Sequence, residues 1–277
     1  GYWSRGLGDV YKRQVDILTF EIEHINIEAL KVLEKDGIKT YPQPEALEII
    51  QDKGIQKQFY SRHNIPTSNF HLFNNKKEIL NAIHDDIIHF PFIQKSRKDG
   101  YDGKGVVFIN DVHSLDRLFD VPSMIEEFIE IEKEIAVIVS RNENGETNTF
   151  PTVEMEFSTE ANLVEQLICP SEIRTDLDHK AKELAISIIE NLNMVGNLAV
   201  EFFISKNGQL LVNEVAPRPH NSGHQTIEAN ITSQFEQHLR AILNYPLGST
   251  KLLSPSVMLN ILGEPCLLYT SPSPRDQ

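Results

Sequence analysis

The sequence predicts an α+β fold, preceded by the remnant of an α/β parallel-sheet domain. Three observations lead there. Strand-like and helix-like segments alternate along the chain, and an Asn207-Gly208 turn separates two apolar strands. A long stretch, about Asp176–Asn193, also repeats apolar residues (Ala181, Leu184, Ala185, Ile188, Leu192) at amphipathic-helix spacing.

Both ends stand apart from that pattern. Ser4–Gln14 and Cys266–Asp276 are the two peptides that one DNA oligonucleotide encodes when its two strands are read, as expected of a sequencing adapter. Residues 1–14 and 266–277 are therefore read as non-native, and 15–265 as a gene segment cut at both ends. Without them Lys+Arg falls from 26 to 22 and Asp+Glu from 40 to 38, so the net charge goes from −14 to −16. So acidic a chain is a poor coat for nucleic acid or anionic membrane. Cys169 is left without a disulfide partner, and no apolar run is long enough to span a bilayer. The expected setting is the cytoplasm.

The elements follow in order. Val15–Phe20 reads as a buried strand, Asn26–Lys35 as a helix ended by Gly37, and Ile38–Tyr41 as a second strand, a βαβ-like unit. Glu45 to about His63 reads as linker helix broken by Gly54. A new unit begins after Ile65-Pro66: strand Asn69–Phe73, helix Lys76–His84, strand Phe92–Lys95, strand Gly105–Ile109, helix Val112–Phe119 and strand Ser123–Ile129. Strands at 134–141 and 147–157 lead to the long helix, then to the hairpin and a helix near Ser233–Leu243. The region before about Asn64, lacking sheet neighbours, is expected to be less secure than Pro66–Leu247 and to be cut first by protease.

Chemistry concentrates in two places. Asn213-Glu214-Val-Ala-Pro-Arg218-Pro-His220-Asn221-Ser-Gly-His224 runs from an apolar strand into a proline-set loop of polar groups. A two-residue turn at 207 and 208 sets Glu201 directly opposite Glu214. Facing carboxylates repel, so the pair calls for a cation, and Mg²⁺ carrying phosphates is the usual one. Two solvated glutamates on an edge hairpin are the alternative. The second place is Lys95-Ser-Arg97-Lys98-Asp-Gly100-Tyr101-Asp102-Gly103-Lys104-Gly105, where glycines let backbone N–H groups close over phosphate oxygens among four cationic side chains. Lys95 ends an apolar strand and is held rigidly. Beyond the loop, the backbone of Glu126, Glu127, Phe128 and Ile129 offers an edge for adenine and Glu134 a partner for a ribose hydroxyl, though each glutamate suits a surface salt bridge equally.

Together these residues resemble the ATP-grasp family. More narrowly, Thr19-Phe-Glu21-Ile-Glu23, Gly100–Gly105, Asn213–His224 and Ser233-Gln-Phe-Glu236 are similar to the bicarbonate-using enzymes of that family in purine biosynthesis. The resemblance implies two α+β lobes, a small one at 66–128 and a large one at 129–265, after an N-terminal α/β end and linker at 15–65. It implies ATP and Mg²⁺, with bicarbonate and aminoimidazole ribonucleotide as the other substrates, and a homodimer when full length. Lys53, Lys95, the glycine loop, the 126–129 hinge, Glu134, Asn213 and Glu214 are then the nucleotide contacts, and Glu201 and Glu214 the metal ligands. Arg218, His220 and Asn221 are the catalytic set around bicarbonate. Tyr101, Asp102, Lys104, Glu21 and Glu23 face the ribonucleotide. The chain departs from the family pattern at Met155, at Phe157 and at Lys53, where Arg is common. A formate- or biotin-type ATP-grasp ligase, or a catalytically incomplete nucleotide-binding fragment, are the alternatives.

Overall fold

The computed structural model describes residues 15–22, 24–98, 105–157 and 164–261. Glu23 and the loop residues Gly100, Tyr101, Asp102, Gly103 and Lys104 lie outside them, so the glycine-loop and Glu23 expectations are not placed.

The chain begins with β1 (Ile17–Thr19), α1 (Ile27–Lys35) and β2 (Lys39–Tyr41), and β1 and β2 pair in parallel. Asn26 caps α1 by accepting from the Ala29 N–H. Two short helices follow, α2 (Pro44–Ile50) and α3 (Lys53–Arg62). The break falls at Asp52 rather than at Gly54. The Asp52 carboxylate accepts from the Gly54 and Ile55 N–H groups and starts α3, while Arg97 forks onto the same carboxylate at 2.9 and 2.8 Å. Gly54 serves that fork instead, since a Cβ there would lie 2.8 Å from Arg97 Nε.

A four-stranded antiparallel sheet comes next, in the order β3 (Phe70–Phe73), β6 (Ser123–Glu127), β4 (Phe92–Ser96), β5 (Val106–Ile109). Helix α4 (Lys76–His84) joins it in a small core with Ile79, Ala82, Phe92, Ile109 and Ile125. The expected helix at 112–119 is a 3₁₀ turn, Val112–Arg117. Beyond it, the buried Gln94 amide clamps both backbone groups of Phe119, at 2.9 and 3.0 Å, so the chain leaves helical geometry before Pro122.

The larger sheet has seven strands. They are β7 (Ile131–Arg141), β8 (Thr147–Thr149), β9 (Val153–Phe157), β10 (Val164–Cys169), β11 (Gly196–Ser205), β12 (Leu210–Ala216) and β13 (Ser256–Leu259). Their order is β12-β11-β7-β9-β10-β13, with β8 on β7. The single strand expected at 147–157 is split at Pro151, which has no N–H for the ladder. Helix α5 (Thr175–Asn191) covers one face, burying Ala181, Ala185, Ile188 and Ile189 against Ile135, Val137, Val139, Leu198, Val200 and Phe202. Ala46, Ile50, Phe59 and Tyr60 belong to this same core. The linker helices are thus core elements, which moves the expected protease boundary from Asn64 back to about Pro44. The short α6 (Thr226–Ala229) and α7 (Gln234–Ile242) follow the motif loop.

Candidate active site

The hairpin β11–β12 reaches its register by a route the sequence did not suggest. The turn uses three residues, Lys206-Asn207-Gly208, with Gly208 at φ +79° and its N–H on the Ser205 carbonyl at 2.7 Å. Pairs near the tip are therefore Phe202↔Val212 and Ile204↔Leu210, one residue off the two-residue expectation. A bulge between Val200 and Phe202 restores the frame, giving Val200↔Val215 and Ala199↔Ala216 below it. Glu201 sits in that bulge against Asn213 and Glu214. The two irregularities cancel, and the carboxylates still share a face.

Glu134 joins them. On β7, Ala136 pairs with Glu201 and Glu134 with Phe203, which puts Glu134 on the Glu201 face. Burial, then Glu214 and Glu134, raises the Glu201 carboxyl well above the carboxylate range. Glu134 is pushed up to about 7, by burial first and by Glu214, with Lys95 opposing. Glu214 is half-buried, and although desolvation acts to raise its pKa, Lys53 and Lys95 outweigh that and hold it low. Lys53, the first residue of α3, bonds the Glu214 carboxylate directly.

Lys95 reaches across from the small sheet. Its Nζ lies 2.6 Å from Glu126 Oε2 and donates to Asn213 Oδ1 at 3.1 Å, tying β4 to β12. Burial lowers the Lys95 pKa, but Glu126, Glu214 and Glu201 together raise it above the usual value. The Glu126 side chain is taken up by ion pairs. Its other oxygen is 2.6 Å from the Lys57 ammonium, and its backbone lies in a strand paired on both sides, by Phe70 and by Ile93. Glu127 accepts from the Asn69 amide at 2.7 Å. Phe128 and Ile129 follow the end of β6, in the stretch between β6 and β7. The exposed Phe128 ring lies 5.1 Å from Phe108. Gly105 accepts the Ser96 N–H at 2.8 Å and brings the glycine loop back onto β4.

The motif loop lies against the acidic face. His220 Nε2 is 3.4 Å from Glu201 Oε1, and Nδ1 accepts from the Ser222 N–H at 3.3 Å, with Ser222 Oγ at 2.8 Å. Burial, then Arg218, lowers the His220 pKa to about 4, so the ring is neutral and carries its proton on Nε2, facing Glu201. Arg218 donates to the Pro219 carbonyl at 3.0 Å and remains the cation of the loop. Asn221 Oδ1 is buried without a hydrogen-bond partner. Glu21, though exposed, is close enough to bias His224 toward protonation, while burial, the larger influence, lowers it.

Two positioning residues carried no role in the sequence reading. Gln234, fully buried, accepts the His220 N–H at 2.9 Å and donates to its carbonyl at 2.8 Å, repeating the Gln94 clamp. Gly223 makes room for it, since a Cβ there would sit 2.2 Å from Ile138 Cδ1 and 2.6 Å from Gln234 Oε1. His238 on α7 has its pKa lowered to about 4 by burial, accepts from the Asn197 N–H on Nδ1 at 3.2 Å and holds Thr19 Oγ1 at 2.8 Å. It pins β1 to the large sheet. Met155, at a departure from the family pattern, is buried in a core with Ala136 and Leu167.

A cation fits the Glu201/Glu214 pair. The donors are hard carboxylate oxygens that repel one another, and Asn221 Oδ1 is left without a hydrogen-bond partner in the loop that carries His220. Among the described residues no cluster of three or more His, Cys, Asp or Glu is placed to cage a metal. Mg²⁺ takes one or two carboxylates and completes its shell with water and phosphate.

A small antiparallel sheet that sends a lysine to the acidic hairpin of a larger one defines a class. The chain belongs to the ATP-grasp family: the ATP-grasp domain matches residues 58–235, and a ribonucleotide synthetase preATP-grasp domain matches 7–51. Within that class it is 38% identical over 253 residues to the N5-carboxyaminoimidazole ribonucleotide synthase of Bacillus subtilis, covering 90% of this chain and 65% of the relative. The crystal structure of the Thermotoga maritima synthetase is 44% identical with a TM-score of 0.83, covering 94% of this chain and 67% of that one. The Aspergillus clavatus synthase, solved with ADP and 5-aminoimidazole ribonucleotide, is 30% identical with a TM-score of 0.81, over 90% of this chain and 66% of that one. The chain thus spans about two thirds of the length of the Bacillus relative. Among the described residues, no helix is long and apolar enough to cross a membrane.

Proposed function

We propose that the whole protein carboxylates the amine of 5-aminoimidazole ribonucleotide, using ATP and bicarbonate, in purine biosynthesis. The observation that carries this reading is the meeting of three groups on one sheet face: Lys53 and Lys95, the Glu201/Glu214 pair, and the Arg218–His220 loop. A bicarbonate oxygen attacks the γ-phosphorus of ATP, ADP leaves, and carboxyphosphate forms. Carboxyphosphate loses inorganic phosphate to give CO₂. The ribonucleotide amine adds to that carbon and gives up a proton, leaving a carbamate. No covalent enzyme nucleophile is needed, so catalysis is positioning plus neutralisation of crowded charge.

Lys53 and Lys95 hold the phosphates, and Lys95 is kept protonated by its carboxylate neighbours. Glu201 and Glu214 would hold Mg²⁺, which when bound draws charge from the phosphate oxygens. Arg218 supplies charge to the bicarbonate, and the neutral His220 supplies an N–H without adding a second charge. Glu134 is suited to a ribose hydroxyl, and Phe128 with Ile129 to the adenine. Glu21, beside His224, is suited to the amine side of the ribonucleotide, with Glu23 and the 100–104 loop proposed for the rest of that molecule. Domain limits at 65 and 128, a homodimeric state and a cytoplasmic setting complete the reading. The test is ADP release by the full-length protein, expected only with bicarbonate and Mg²⁺ and faster with the ribonucleotide. Equal release with formate in place of bicarbonate overturns it.

A further inference from the structure

Lys57 lies four residues after Lys53 on the same face of α3, but it is only 2% exposed and touches no open space. Its ammonium is 2.6 Å from Glu126 Oε1 and donates to Ser68 Oγ at 3.0 Å and to Thr67 Oγ1. Thr67 in turn donates to the Val212 carbonyl at 2.7 Å, one residue before Asn213. The other Glu126 oxygen takes Lys95, also at 2.6 Å. One buried carboxylate is therefore shared by two ammonium groups, one inaccessible and one facing the acidic hairpin.

The charge balance gives this arrangement its meaning. A lone Glu126–Lys95 pair would be neutral, and Lys95 would offer a phosphate little attraction. With Lys57 on the second oxygen, the trio carries one net positive charge, and Lys95, though largely buried, is its end toward the acidic hairpin. We propose that Lys57 is a positioning residue for the nucleotide phosphates: it satisfies Glu126, fixes the Lys95 ammonium between Glu126 and Asn213, and leaves the charge of Lys95 free to act on a polyphosphate. The inference rests on the nucleotide-binding reading above.

The test is titration of Mg·ATP and of adenosine into the folded chain by calorimetry, with thermal unfolding as the check of folding. Lys57→Met should weaken Mg·ATP at least tenfold and leave adenosine within twofold. Lys57→Met with Glu126→Gln should recover at least fivefold of that loss, because Lys95 again faces a neutral partner. A purely structural lysine predicts the reverse, the double variant being weaker still. If Lys57→Met does not fold, the double variant is compared with the parent: a loss of Mg·ATP affinity of less than about fivefold supports the inference, and any greater loss overturns it. Unchanged Mg·ATP affinity in Lys57→Met also overturns it. Absence of Mg·ATP binding by the parent chain overturns the nucleotide reading itself, and this inference with it.

Discussion

On β11, Val200 and Phe202 point into the layer packed by α5, while Glu201 between them points to the opposite face with Glu134 and Glu214. The same three strands therefore build a dry hydrocarbon layer and, one residue out of phase, a cluster of like charges. The apolar face gains from each neighbour it buries. The acidic face loses from each neighbour it gathers, which is why burial and mutual repulsion raise Glu201 and Glu134. Stability is invested on one side of the sheet, and a demand for ligand is created on the other.

The sharpest way to break this comparison is Glu214→Gln. On the proposed function, turnover by the full-length protein should fall by about a thousandfold, the scale for losing one charge-stabilising group. The variant should still fold, with unfolding shifted modestly downward, since Lys53 and Lys95 lose the carboxylate they hold in its charged form. Normal turnover in that variant would show that the bulge does not serve a metal.

Phe202→Ala should do the opposite. Truncating a fully buried aromatic costs about 3–5 kcal/mol, read by denaturant unfolding. Mg·ATP affinity of the remaining folded protein should stay within about twofold, and a larger loss there would mean the two faces are not separable.

The next effect comes from His220 and His238, both with pKa values lowered to about 4. The unfolded chain binds protons that these folded rings refuse, so their contribution is complete above about pH 6.5 and is lost as pH falls toward 4. The loss should approach about 3 kcal/mol for each histidine, following the linkage of protonation to folding. Urea midpoints from pH 7 to 4.5 measure it, and His238→Gln should flatten the profile.

The smallest effect sharpens the acidic side. With Glu201 pushed up to about 8, Mg²⁺ must displace its proton at pH 6 but only part of it at pH 8. The stabilisation given by Mg²⁺ should therefore grow across that interval, by about 1 kcal/mol per pKa unit displaced. A thermal shift independent of pH would remove Glu201 from the metal site.

Much of this architecture was legible in the residues. The α5 spacing, the capped helices and the Glu201/Glu214 pair follow from period, caps and like charges in apolar surroundings. What escaped was of two kinds. Gly54 looked like a helix break, and the Glu126 side chain suited a surface salt bridge rather than a buried one, because their partners, Arg97 and Lys57, approach from distant segments. The strand at Val164–Cys169 and the one at Ser256–Leu259 also went unread, because short strands next to unpatterned stretches give little periodicity to detect. Gln234 was visible as a motif letter, but only tertiary structure shows its amide standing in for a missing backbone partner.

The bulge at Glu201 has a further consequence for how the hairpin tolerates change. Two registers meet there: the tip from Phe202 to Val212 follows one count, and the base from Val200 to Val215 follows another. A residue gained or lost at the 206–208 turn can be absorbed where the two counts meet, without displacing the base of the hairpin. The bulge works as an expansion joint, so the outer hairpin is free to vary in length through evolution, or in the hands of a designer, while the acidic pair holds its place.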